Sequence, residues 1–145
     1  MIKYGNLFDT TLDWKVCTVN CVGVMGKGIA LEFKKRFPGM YENYRRICQG
    51  GLLKPGKLWA WEKDRILCFP TKDHWRYPSK VEWIEAGLQK FVAHYTRLGI
   101  SYIAFPPLGC GNGGLSKEVV IPLMDKYLGG LGNLEYEIWD MDPGT

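Results

Sequence analysis

At 145 residues, 46% hydrophobic and 23% charged, the chain has the size and balance of one folded domain, expected to span positions 1–145. Five cysteines without a Cys-x-x-Cys pair and only two histidines argue against a disulfide framework or a metal site, so no metal and no cofactor are expected. A formal charge of +4 eases the approach of a polyanion without identifying a nucleic-acid binder, and neither a secretory leader nor a run of roughly 20 apolar residues is present, so a cytoplasmic monomer is expected.

Strand-like stretches rich in β-branched and aromatic residues occur at Ile2–Tyr4 and Lys15–Val19. Helical patterns follow at Gly28–Arg36 and Tyr41–Gln49, then strand-like Leu58–Trp61 and Ile66–Phe69. The longest helix is expected over Val81–Leu98, where Trp83, Ile84, Gly87, Leu88, Phe91, Val92 and Tyr95 repeat at helical spacing; Ser79 is the expected cap, with Glu82 completing a capping box. A strand at Ile100–Phe105, a helix at Lys117–Leu128 that turns Val119, Val120, Leu123, Tyr127 and Leu128 to the core, and a strand at Tyr136–Trp139 end the series. Strands alternating with helices predict an α/β fold, a mixed sheet sandwiched by helices.

Two loops carry seven of the 18 glycines. Asn20-Cys21-Val22-Gly23-Val24-Met25-Gly26-Lys27-Gly28 and Pro106-Pro107-Leu108-Gly109-Cys110-Gly111-Asn112-Gly113-Gly114 each leave an apolar strand and enter a helix. Glycine allows close backbone approach, and N–H groups at such a loop and at the following helix N-terminus bind anions. Two such loops suggest a pyrophosphate held from both sides, hence a nucleotide diphosphate. The G-x-x-x-x-G-K-[ST] run is absent, because Lys27 is followed by Gly28, so P-loop binding is disfavoured; the G-x-G-x-x-G spacing occurs at 109–114, but a lone match is a weak signal and Rossmann binding is disfavoured as well.

The run Val19-Asn20-Cys21-Val22-Gly23-Val24-Met25-Gly26-Lys27-Gly28-Ile29-Ala30, the segment Phe69-Pro70-Thr71-Lys72 with His74-Trp75-Arg76, the Glu82-Trp83-Ile84 helix start and Pro106 through Leu115 resemble the DarG-type antitoxin macrodomains over nearly the whole chain. The terminal ADP-ribose protein glycohydrolase is similar more distantly. The resemblance implies a macrodomain, a three-layer α/β/α sandwich that binds ADP-ribose. It also implies removal of ADP-ribose from thymidine in single-stranded DNA, in opposition to a cognate ADP-ribosyltransferase toxin.

Carried over residue by residue, the resemblance puts Asn6 and Leu7 beside the adenine, with Asn6 where many macrodomains have an acid. Asn20, Val24, Met25, Gly26, Lys27 and Gly28 then border the distal ribose and diphosphate, and Pro107, Leu108, Gly109, Cys110, Gly111, Asn112 and Gly113 wrap the diphosphate. Thr71 adjoins Lys72, which matches a lysine near the anomeric carbon. The second loop lacks the acid of the glycohydrolase, which favours catalysis centred on Lys72, with Asn20 and a bound water as the alternative. Lys72 can act as a nucleophile, its pKa lowered by burial or a cation such as Arg76, or as an acid; Lys80 is its rival. His74, Trp75, Arg76 and Lys80 are the candidates on the DNA side, Trp75 for stacking and Arg76 for a phosphate. A non-catalytic ADP-ribose reader and a hydrolase of small ADP-ribose derivatives, the 1″-phosphate or acetyl ester, are the alternatives.

Overall fold

The computed structural model describes residues 1–141, so the last four positions of the expected domain lie outside the described residues. Six strands and four α-helices alternate among the described residues: β1 (Ile2–Tyr4), β2 (Trp14–Val19), α1 (Gly28–Arg36), α2 (Pro38–Gln49), β3 (Trp59–Trp61), β4 (Ile66–Pro70), α3 (Val81–His94), β5 (Tyr102–Phe105), α4 (Lys117–Leu128) and β6 (Glu135–Asp140). The strands form one sheet in the order β1-β6-β5-β2-β4-β3. All neighbours run parallel except β3, which pairs antiparallel to β4, so the sheet is mixed as expected.

Because side chains alternate across a strand, the central strands feed two cores at once. Trp14 and Val16 of β2, Leu67 and Phe69 of β4, and Ile103 and Phe105 of β5 join Ile84, Leu88 and Phe91 of α3 and Val120, Met124 and Leu128 of α4 on one face. Cys17 and Val19, Ile66 and Cys68, and Ala104 meet Phe33 of α1 and Met40, Tyr44 and Cys48 of α2 on the other. Every residue of β4 is buried, the mark of a strand covered on both sides. The result is the three-layer sandwich, with α1 and α2 on one face and α3 and α4 on the other.

Several boundaries differ from the sequence reading. Helix α2 begins at Pro38 rather than Tyr41, because proline suits the first helical position, where an N–H has no partner to lose. Helix α3 stops at His94, and the chain continues in turns to Gly99, whose φ of +74° prevents further helix. Strand β5 accordingly starts at Tyr102, since Ile100 N–H is spent on Tyr95 O at 2.9 Å. The expected capping box on α3 does not form. Lys80 is the N-cap, and Ser79, one residue earlier, is buried with its hydroxyl unpaired while its N–H donates to Gly113 O at 2.9 Å. In α4, Val119 is exposed and Met124 buried, and Ser116 caps the helix by accepting from Glu118 N–H at 3.2 Å.

Gly87 of α3 lies directly on Phe69: a Cβ there would stand 2.3 Å from Phe69 Cζ. Alanine would ordinarily strengthen a helix interior by roughly 0.5–1 kcal/mol. Here overpacking against a fully buried ring costs about 1–3 kcal/mol and reverses the sign. Gly87→Ala should therefore lower the urea midpoint of unfolding with an unchanged slope.

Candidate functional site

In open α/β sheets ligands bind outside the carboxyl ends of the strands. A cleft of about 1180 Å³ opens there, reaching from the end of β6 across β5 and β2 to the end of β4. Three strand spacings separate its two ends, about 14 Å. Its size and length suit an extended nucleotide-sized ligand.

The junction after β2 organises the middle of the cleft. Asn20 is buried, and its Oδ1 accepts from Val22 N–H at 3.1 Å and Val24 N–H at 3.3 Å while its Nδ2 donates to Val24 O at 2.7 Å. The Tyr44 hydroxyl, from α2, lies 2.7 Å from Asn20 O and 2.9 Å from Oδ1. Burial raises the pKa of that phenol, so it stays a neutral donor. These bonds bend the first glycine loop and leave one carboxamide N–H of Asn20 for a ligand. The loop then enters α1, whose N-cap Lys27 makes no side-chain capping bond, so the first-turn N–H groups face the cleft as an anion site.

The second loop closes from the opposite side. A Cβ on Gly28 would stand 3.3 Å from Asn112 Nδ2, so the two loops meet. Gly113 packs on Ser79, whose Oγ would be 2.5 Å from a Cβ, and Gly111 takes a φ of +69° with open space around it. The loop's backbone is thereby held thin where a ligand would pass. Cys110 lies on the wall, but burial pushes its thiol up to about 11, which makes it a poor nucleophile.

Lys72 follows β4, where Thr71 N–H and Lys72 N–H both donate to Val19 O, at 3.0 and 3.4 Å. Cys21 N–H donates to Asp73 O at 3.1 Å, so the lysine segment is tied to the first glycine loop. The Lys72 ammonium donates to Trp75 O at 3.2 Å. Its pKa is lowered first by burial and then by the charge of Lys27, not by Arg76 as the sequence suggested.

The cleft wall thus brings together Asn20, Val24, Gly26, Lys27, Gly28, Thr71 and Lys72 with Trp75 and Arg76, and with Pro107, Gly109, Cys110, Gly111, Asn112 and Gly113. Six residues proposed from sequence are not on it. Asn6 spends its carbonyl oxygen on Phe8 N–H at 3.0 Å as the cap of a short turn. Leu7, Met25 and Leu108 are core residues, at most 1% exposed. His74 packs with tilted rings against Trp75 and Tyr77 and accepts from Arg76 N–H through Nδ1 at 3.0 Å, so it shapes the segment that carries Trp75. Lys80 points over Trp83, 5.1 Å from the ring centre.

The sequence reading missed the far end of the cleft, where Trp139 and Asp140 end β6, Met141 follows it and Lys117 opens α4. Lys117 Nζ is 2.7 Å from Asp140 Oδ1. The signal available was positional: Asp140 ends a strand on the side where the glycine loops emerge. Among the described residues no group of three or more His, Cys, Asp or Glu is placed to hold a metal, and no helix is long and apolar enough to cross a membrane.

Residues 16–124 match the Macro domain family. The chain belongs to that family. This macrodomain is 40% identical to the DNA ADP-ribosyl glycohydrolase of Thermus aquaticus over 145 aligned residues, 96% of this chain and 40% of that protein. It is 35% identical to a DNA ADP-ribosyl transferase-DNA ADP-ribosyl glycohydrolase fusion protein of Thermosipho africanus, over 86% of this chain and 37% of that protein. The solved Thermosipho africanus DarTG in complex with ADP-ribose superposes with a TM-score of 0.87 over 95% of this chain and 41% of that one. The macrodomain of Mycobacterium tuberculosis DarG gives 0.89 at 42% identity, covering 96% of this chain and 97% of that one. The macrodomain spans about two fifths of the length of the curated relatives it matches.

The pairing of Lys27 with Lys72 is testable without a ligand. Removing a positive neighbour raises a lysine pKa, so in Lys27→Met the Lys72 amine should become reactive only at higher pH. Trace acylation followed by peptide mass analysis across a pH series should give a midpoint for Lys72 above that of the parent protein.

Proposed function

We propose that this macrodomain binds ADP-ribose and removes it from thymidine in single-stranded DNA, acting as the antitoxin to a DNA ADP-ribosyltransferase. The observation that carries the reading is Lys72: an amine of lowered pKa, held against the Trp75 carbonyl on the wall of a cleft flanked by two anion-binding glycine loops. The names of the relatives, glycohydrolases acting on DNA and a fusion with the transferase, support the substrate and the partner. The chain works as a monomeric single domain over 1–145, in the cytoplasm.

The pyrophosphate sits between the loops, with N–H groups of the second loop and the start of α1 around it. The distal ribose reaches Lys72, and the remaining N–H of Asn20 donates to a ribose hydroxyl. The neutral amine of Lys72 attacks C1″, the electron pair of the C1″–N bond leaves on the thymine nitrogen, and the amine's proton follows it. Water then cleaves the C1″–N bond to lysine, releasing ADP-ribose and restoring the amine. A nucleophilic role needs the neutral form, which the lowered pKa favours. Trp75, 47% exposed with Arg76 5.2 Å from its ring centre, offers a face for a neighbouring base and a charge for its phosphate.

The deciding experiment is incubation with a thymidine-ADP-ribosylated oligonucleotide and mass analysis of both products. Release of unmodified oligonucleotide and free ADP-ribose supports glycohydrolysis. A stable complex without release identifies a reader, and inertness toward the oligonucleotide with turnover of ADP-ribose 1″-phosphate or the acetyl ester identifies a small-molecule hydrolase. Lys72→Ala should reduce single-turnover release by at least ~10²-fold with ADP-ribose affinity within a few fold of the parent, because the amine acts in the transition state. Lys80→Ala should match the parent.

Gly26→Leu separates binding from folding. A Cβ at Gly26 meets only Val24 Cγ1, at 3.7 Å, and φ there is ordinary, so the fold should lose under about 1 kcal/mol. The side chain enters the phosphate path, and calorimetry should record an ADP-ribose affinity at least about tenfold weaker.

A further inference from the structure

We propose that the modified strand is held on both sides of the nucleotide that enters the cleft, one flank stacked on Trp75 and Tyr77 and the other laid over the first glycine loop against Arg45 and Lys54; this rests on the substrate being ADP-ribosylated DNA. The ADP-ribose hangs from a base, so that base points into the cleft while the sugar-phosphate chain stays outside and continues in two directions. Lys72 stands where β4 ends, between the two helical layers. On one side of it lies the first glycine loop, packed on α2; on the other, residues 73–80 lead to α3 on the opposite face of the sheet. A strand crossing the mouth therefore meets one bank in each layer.

The α3 bank is aromatic. Trp75 is 47% exposed on the rim of the cleft and Tyr77 is 61% exposed beyond it, and both pack against His74, with ring centres 5.2 and 5.5 Å from its own. Two rings left in water beside a cleft, braced by a third, suit bases that stack without sequence preference. Arg76, 5.2 Å from the centre of the Trp75 ring, makes no ion pair among the described residues, which leaves its charge for a phosphate. The α2 bank is cationic. A Cβ on Gly23 would stand 3.3 Å from Arg45 Cγ, so the stem of Arg45 lies along the loop. The Cys21 thiol is pushed up to about 12 by burial first and then by Asp73, and Lys54 opposes them, so Lys54 stands near the same turn. Arg45 pairs with Glu42 at 3.4 Å, but both side chains are exposed, and a surface pair of that kind yields to a phosphate at little cost. Exposed Val22 gives this bank an apolar contact.

The test trims the substrate one flank at a time. Oligonucleotides carrying ADP-ribosylated thymidine in the middle, at the 5′ end or at the 3′ end are turned over with enzyme in excess, and the half-saturating concentration is measured. Removing either flank should raise it at least about fivefold, because stacked bases or phosphate contacts are lost. Tyr77→Ala should raise it about tenfold on the central substrate and less than about twofold on the terminal substrate that lacks the stacked flank. Arg45→Met combined with Lys54→Met should show the same pattern with the opposite terminal substrate, and should flatten the slope of log affinity against log salt by about 0.7 for each phosphate contact removed. All variants should bind free ADP-ribose as the parent does, because none of the three residues lines the cleft. Equal half-saturation of the parent on the three substrates overturns the proposal. So do variants that weaken all three substrates alike, and variants that match the parent throughout, which would give this surface to another partner. If the parent binds ADP-ribose but releases none from any of the oligonucleotides, the reading of the substrate fails and this inference falls with it.

Discussion

The buried carboxamide of Asn20 is the constraint on which the site depends. Where β2 ends, the backbone must leave a fully covered sheet and turn back on itself without losing hydrogen bonds to an apolar interior, and Asn20 supplies the replacements from one side chain. Tyr44 anchors that side chain from α2, so the loop's shape is referred to the helical layer rather than to solvent. From the same junction Val19 O accepts from Thr71 N–H and Lys72 N–H, and Cys21 N–H donates to Asp73 O. The backbone of Lys72 is thereby bonded to the same turn that shapes the first glycine loop, which fixes where its amine can stand relative to that loop.

The parts of the fold that were legible in the sequence are those whose signal is local. The bounds of α1 and α4 follow from apolar periodicity, and β1, β2 and β4 from β-branched and apolar runs. Helix α2 begins at Pro38, ahead of the pattern that starts at Tyr41, because proline at the first helical position is a start. Ser79 was read as a cap because its type and its spacing to Glu82 fit. Its backbone is instead drawn to Gly113, a partner 34 positions away that no local pattern announces.

The site divides along the same line. The glycine loops and Lys72 sit in contiguous motifs, and those residues stand on one wall. Asn6, Leu7, Met25 and Leu108 share the motifs but not the wall, because alternate residues of a segment packed against a sheet turn inward, and three of the four are core. Lys117 and Asp140 come together from a helix start and a strand end, 23 residues apart, and become neighbours only because β6 inserts between β1 and β5.

That insertion also sets the polarity of the cleft. Lys27 and Lys72, one from each of the segments joined at Asn20, stand at the β4 end, where burial first and the charge of Lys27 second lower the pKa of Lys72. At the β6 end Lys117 instead stands 2.7 Å from the Asp140 carboxylate. Lys72 thus has a cation beside it and Lys117 an anion, so the two ends of the cleft differ in charge. The two ends are separated by three strand spacings, so a ligand that bridges the glycine loops meets both at a fixed separation.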